Sequence, residues 1–384
     1  MTPFASFRAA RHFGSLDALR ALAIVAVIWR HRPPVSEGAA PFVDIGASGV
    51  ALFFVLSGFL ITTLLLREQS ATGTISLRDF YVRRALRIFP LFYAVLALYT
   101  ALVLLMEHNA AGRLFLHNIP YFATYTNNWF VDLVVNEDGQ RRVIFVFAWS
   151  LATEKQFYLV WPSLLRYASR RAAVCALIAV ALLSTGLRFW PGRMEVPADA
   201  TQRLVKILQS PSVEICMGVL VAVALDNETW FRRLWSVLGR GWSAPAAAAV
   251  AAAVVLLPTT ATPQWYLAQG FAFALLIATC VIREDHGLAR GLRLRGLARI
   301  GVVSYGMYML HMLAVHVVEA AFRQVGVDSA PATFCASVLT TYAAAEASFR
   351  LFESRFLAMK ARFQRSDSGT PSVAAAPARA ELVR

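Results

Sequence analysis

The chain has 384 residues, 58% of them hydrophobic and only 16% charged, with a formal net charge of +14 and a mean hydropathy of +0.55. That composition leaves too little polar surface to solubilise a globular domain of this length, so the lipid bilayer is the expected surrounding. The positive charge does not mark a nucleic-acid binder, because the basic residues fall in short clusters between apolar stretches rather than on one polar domain.

Read in windows of about 20 residues, the length that crosses the hydrocarbon layer, the sequence predicts an all-α, polytopic integral membrane protein with about ten transmembrane helices. The first span covers 15–31; it has no A-x-A-like end and runs into Arg30, His31 and Arg32, so it is expected to remain as a helix. The others are placed at 43–66, 87–107, 144–165, 172–190, 204–225, 244–257, 265–282, 300–322 and 332–350. The stretch between the second and third spans carries Arg67, Arg78, Arg83, Arg84 and Arg87, and every second connection after it is similarly basic. The opposite connections hold fewer arginines, among them Arg30, Arg32, Arg113, Arg188 and Arg323. The positive-inside rule therefore places both termini in the cytoplasm, and in a Gram-negative source the membrane would be the inner one. Residues 1–363 are expected to form the membrane domain. The tail 364–384, small, polar and proline-containing, is expected to be disordered.

Cys175, Cys216, Cys280 and Cys335 all lie in apolar spans without CxxC spacing, which argues against a disulfide framework or a zinc site. The histidines lack ligand spacing and no phosphate-cradling glycine loop is present, so no metal and no permanently bound cofactor is implied. The connection from Glu107 to Arg142 is the longest on the non-cytoplasmic side, with Asn127-Asn128-Trp129 and Asp138-Gly139. Such groups suit a sugar or another polar acceptor, although an interfacial aromatic belt explains them as well. His12, His108, His117 and His286 read as solvated loop residues, while Glu214, His311 and His316 divide evenly between structural and site-lining roles.

Arg20 and His31 stand eleven residues apart in the first span, which on a helix returns them to nearly the same face about 16 Å apart. Ionisable groups at membrane depth are costly, so an aligned pair calls for a use or a partner. Further along come Gly49-Val50-Ala51-Leu52-Phe53-Phe54-Val55-Leu56-Ser57-Gly58, then Arg83-Arg84-Ala85-Leu86-Arg87-Ile88-Phe89-Pro90, then Trp149-Ser150-Leu151-Ala152-Thr153-Glu154-Lys155-Gln156-Phe157-Tyr158. In this order the Arg-x10-His pair and these motifs resemble the acyltransferase 3 family of membrane O-acyltransferases, from about Ser15 to Phe352. The resemblance implies a catalytic His31, a required Arg20 and transfer of an acyl group to a hydroxyl. One departure is at the end, where Glu353-Ser354-Arg355-Phe356 lacks the family's proline. Nothing in the chain is long enough to be the soluble hydrolase-like domain fused in some members.

The residues fit that chemistry on their own terms. An imidazole can take a proton from an alcohol, and a carboxylate such as Glu154, expected at a depth similar to His31, can orient it. Tyr158, one turn from Glu154, can donate a hydrogen bond to a donor carbonyl or an acceptor. Arg84 and Arg87 can present two guanidinium forks to phosphates, which suits an acyl-CoA co-substrate, acetyl-CoA in the simplest case. Plainer readings stand beside these: Arg84 and Arg87 as positive-inside anchors, Arg20 snorkelling, Glu154 as counter-ion to Lys155, and Ser57-Gly58 as a helix-packing point. The expected acceptor is a carbohydrate, such as a surface polysaccharide, lipopolysaccharide or lipid-linked oligosaccharide, with a peptidoglycan sugar or a macrolide-type molecule as alternatives. A transporter or flippase would also carry buried charges, but no internal repeat relates the two halves.

Overall fold

A computed structural model of the chain describes residues 2–10, 12–34, 44–131, 144–189, 200–256 and 262–363. The tail 364–384 and the Asp138-Gly139 pair lie outside the described residues. The chain is all-α, with no strand among the described residues. In order come α1 (Pro3–Ala9), α2 (Gly14–His31), α3 (Ala47–Thr72), α4 (Leu77–Met106), α5 (Ala110–Ala123), α6 (Asn127–Phe130), α7 (Ala148–Tyr167) and α8 (Arg170–Phe189). Then follow α9 (Ala200–Gln209), α10 (Val213–Asp226), α11 (Glu228–Leu238), α12 (Ser243–Leu256), α13 (Pro263–Ile282), α14 (Ala289–Leu292), α15 (Arg295–Gln324) and α16 (Ala330–Ser348). A π-helical turn (Phe349–Glu353), α17 (Ser354–Met359) and a 3-10 turn (Lys360–Phe363) close the described chain.

Among the described residues, six stretches are long and apolar enough to cross a membrane: Ala47–Thr72, Leu77–Met106, Arg170–Phe189, Arg203–Asp226, Gln264–Ile282 and Arg295–Gln324. The number rises to eight if α1 with α2, bent by 63°, and α11 with α12, bent by 81°, each make one span. The expected count of about ten exceeds this. The two remaining positions are helical, as α7 and α16, but Glu154, Lys155 and Gln156 in one and Thr340, Thr341 and Glu346 in the other lower their apolarity.

Local chemistry explains where the elements depart from the hydropathy reading. α4 begins at Leu77 rather than 87, because the Ser76 hydroxyl accepts the Asp79 backbone N–H and Asp79 places a negative charge in the first turn. That extension puts Arg83 and Arg84, which precede the expected span, on the same helix as Arg87. α11 lies in what was expected to be a loop. Asn227 caps it through the Trp230 N–H at 3.1 Å, and Phe231, Leu234, Trp235 and Leu238 recur at helical spacing along its apolar face. α5 likewise occupies part of the long 107–142 connection.

α2 is packed between α3 and α15, so the helix bearing Arg20 and His31 runs through the interior rather than along the lipid face. Gly301 of α15 permits this approach, since a Cβ there would collide with the Asp17 carbonyl of α2. α3 and α10 meet just as closely, and Cβ atoms at Gly58 and Gly218 would strike the Ile215 and Val55 carbonyls. Ser57-Gly58 therefore includes the close helix contact expected of it. Cys216 and Cys280 are buried, Cys175 and Cys335 are exposed, and all four are free.

Candidate active site

Helices α2, α3, α4, α7 and α15 surround one cavity, lined by Arg20, Ser57, Arg84, Arg87, Ser150, Glu154, Lys155, Tyr158, Ser304, Tyr305 and Tyr308 among apolar neighbours. About 120 Å³ of it can hold water, room for several molecules when one needs about 10–15 Å³. An acyl group fits such a space. Five of the six residues singled out from sequence, Arg20, Arg84, Arg87, Glu154 and Tyr158, are therefore brought together by the fold. His31 is not among the lining residues.

Glu154 is the hub. Its Oε1 accepts from the Ser57 and Tyr158 hydroxyls, and its Oε2 takes the Lys155 ammonium at 2.5 Å. The Tyr158 hydroxyl, expected to face a donor or acceptor, is committed to Glu154 because the two stand one turn apart. Ser57, read from sequence only as a packing position, is also a hydrogen-bond donor to the carboxylate. Lys155 lies 4.6 Å from the centre of the Tyr158 ring, and Arg84 lies 5.8 Å above the same ring. Arg20 is held by Asp17 at 2.9 Å, so it is fixed inside the bundle rather than extended to a surface. Arg84 and Arg87 make no ion pair among the described residues.

The other end of α2 carries a second group of polar side chains. The His31 and His311 rings stand 4.9 Å apart between centroids, and His311 is fully buried. Its Nδ1 lies 2.7 Å from the Tyr308 carbonyl, which can only accept, so Nδ1 carries the proton and Nε2 the lone pair. That Nε2 has no hydrogen-bond partner among the described residues. Tyr308 connects the two groups: its ring is 5.5 Å from His311, it lines the cavity, and its hydroxyl donates to the Phe147 carbonyl at 2.9 Å. His31 and Glu154 are thus related through Tyr308 and His311.

The helix carrying Glu154 is fastened from the 107–142 connection. Asn128 and Gln156 exchange amide hydrogen bonds of 3.1 and 2.8 Å, and the Gln156 amide also donates to the Tyr125 carbonyl at 2.9 Å. Asn128 is therefore engaged in packing. Tyr125 and Phe145 both take left-handed backbone angles, with φ of 55° and 67°, an uncommon state for bulky residues. One histidine departs from the sequence reading, while His12 is an exposed loop residue as expected. His286 is 3% exposed and bonded to Ser15 at 3.0 Å, because the α13–α14 connection folds against the start of α2. His12 reaches Asp17 at 2.7 Å.

These observations define a polytopic helical membrane protein with a polar, charge-lined site inside its bundle. The chain belongs to the acyltransferase 3 family: residues 13–345 match that family's acyltransferase domain. Peptidoglycan O-acetyltransferase OatA of Listeria monocytogenes is 26% identical over 357 residues, which take in 90% of this chain and 56% of OatA. YrhL of Bacillus subtilis, provisionally named a peptidoglycan O-acetyltransferase, is 28% identical over 334 residues, 82% of this chain and 50% of YrhL. A provisionally named O-acetyltransferase of Staphylococcus aureus strain COL is 34% identical over 164 residues, 42% of this chain and 26% of the relative. The chain therefore spans about half the length, or less, of these curated relatives. No solved structure matches it.

Proposed function

We propose that the chain is a membrane O-acyltransferase that moves an acyl group, acetyl in the simplest case, from acyl-CoA to a hydroxyl of a carbohydrate. The observation that carries this reading is the cavity in which Arg84 and Arg87, without ion pairs among the described residues, stand beside the Glu154 cluster. Guanidinium groups that line a cavity without an ion pair suit an anionic ligand, and the phosphates of CoA meet that description. The thioester then lies in the cavity. His31 acts as general base on the attacking hydroxyl, with His311 behind it, and the oxygen's new bond to the acyl carbon displaces the CoA thiolate. Glu154 holds Ser57, Tyr158 and Lys155 in one arrangement around the acyl group. Peptidoglycan O-acetylation in the relatives' names supports a cell-envelope sugar as acceptor. The membrane would be the cytoplasmic one, with both termini inside.

The test is release of free thiol from acetyl-CoA by purified protein in nanodiscs supplied with a panel of glycan acceptors, comparing wild type with His31→Ala. Acceptor-dependent release that disappears in a folded His31→Ala variant is the expected result. Equal release by both removes His31 as the base, and silence across the panel with no acetyl-CoA binding refutes the transferase reading.

A further inference from the structure

The described chain does not end at its last long helix. After the π-helical turn, α17 and the 3-10 turn fold back against the first turns of α4, where Arg83 donates to the Phe363 carbonyl at 2.7 Å. This bond pins the turn that carries Lys360 over the row of arginines. Of the carboxylates nearby, Glu68 pairs with Arg83, and Glu353 is an electrostatic neighbour of Arg87. Glu68 binds Arg83 at 2.9 Å and the Ser76 backbone N–H at 2.8 Å, and Glu353 accepts from the Ser348 hydroxyl at 3.2 Å. Three cations, Arg84, Arg87 and Lys360, are thus gathered without an ion pair among the described residues.

Such a cluster repels itself unless an anion sits in it. Lys360 shows the strain: partial burial first, then Arg87, Arg84 and Arg83, push its ammonium down to about 8. A structural lysine placed for stability would face a carboxylate. This one faces arginines from α4, and its own turn is tied to one of them.

We propose that Lys360 and the turn Lys360–Phe363 form the outer half of the donor site, where the Lys360 ammonium binds a phosphate of acyl-CoA whose acyl end enters the cavity past Arg84 and Arg87. The proposal rests on the acyl-CoA reading above, and it assigns the segment after the last helix to binding. With the acyl end in the cavity beside Arg84 and Arg87, the nucleotide extends towards the start of α4, where the turn bearing Lys360 is bound to Arg83 and its ammonium can match the added charge.

The experiment is acetyl-CoA binding to the full chain in phosphatidylcholine nanodiscs from pH 6.5 to 9.5, for wild type, Lys360→Ala, Lys360→Arg and Arg84→Ala. Lys360→Ala should weaken binding about tenfold at pH 7, the scale of one charged hydrogen bond, and Lys360→Arg should restore it. Wild-type affinity should be level below about pH 8 and fall above it as the free ammonium loses its proton. In Lys360→Arg that fall should be absent, which a merely structural lysine would not produce. If Lys360→Ala is poorly folded, Lys360→Gln takes its place. Unchanged affinity in the Lys360 variants with weakened binding in Arg84→Ala overturns this inference and leaves the acyl-CoA reading standing. Unchanged affinity in both overturns the acyl-CoA reading. Melting-temperature stabilisation by phosphatidylglycerol that depends on Lys360, with acetyl-CoA binding indifferent to it, assigns the cations to a lipid phosphate and also refutes the proposal.

Discussion

Glu154 has two possible duties, and a charge-removal cycle with Lys155 separates them. Its carboxylate holds the neighbouring ammonium at 2.5 Å, with side-chain exposures of 18% and 12%. Glu154→Gln keeps an oxygen for Ser57 and Tyr158 to donate to and removes only the charge. Lys155 is then a nearly buried ammonium without its partner, a loss of about 3–5 kcal/mol. The apparent melting temperature in detergent should fall on the order of 10 °C. Adding Lys155→Met removes the orphaned charge, and because a buried ion pair replaced by neutral groups is often close to neutral in stability, most of that loss should return. Activity should not return with it. If Glu154 orders the groups around the acyl carbon, the double variant should be stable yet about 10²–10⁴-fold slower in thiol release. A double variant with wild-type kcat/KM would show that Glu154 only neutralises Lys155, and the reasoning that makes it the hub of the site would be wrong.

Gly58→Ala should cost about 1–3 kcal/mol, since its methyl group meets the Ile215 backbone rather than a side chain that can move; Gly186→Ala, in open space, should be neutral in the same thermal melt. His311→Phe keeps a ring beside His31 and removes the Nε2 lone pair, so kcat should fall at least about tenfold with KM for acetyl-CoA little changed. His12 is held above its ordinary range, chiefly by its hydrogen bond to Asp17. Its contribution to stability should be full below about pH 6.5 and fade as pH rises through the raised value. A pH series of melting temperatures should lose that component in His12→Ala.

Hydropathy and periodicity made the helices legible because each is a local property of the chain. The Phe231, Leu234, Trp235 and Leu238 pattern of α11 was equally visible, but the arginines inside it, Arg232 and Arg233, read as a basic loop. The start of α4 was written in Ser76 and Asp79, which act through backbone N–H groups that a hydropathy window does not see. The site was legible as a set of costly charges. Which charge meets which was not, because that depends on the close approaches of α2 to α15 and of α3 to α10. Ser57 illustrates the limit: nothing in its sequence neighbourhood distinguishes a hydroxyl bonded to Glu154 from one facing another helix.

The depth of α2 gives those pairings their functional order under the proposed reading. Arg20 lies with the arginines of the cavity and His31 with His311, eleven residues further on, a separation of about 16 Å along the helix. A donor held by its phosphates at the cationic end must therefore present its acyl group through the Glu154 cluster before the imidazoles can act on an incoming hydroxyl. Tyr308 stands between the two, lining the cavity while its backbone carbonyl fixes the His311 tautomer. A shift of Tyr308 on donor binding would move the residue that holds His311. Coupling between donor site and base would then run through the turn of α15 that carries Tyr308 and His311.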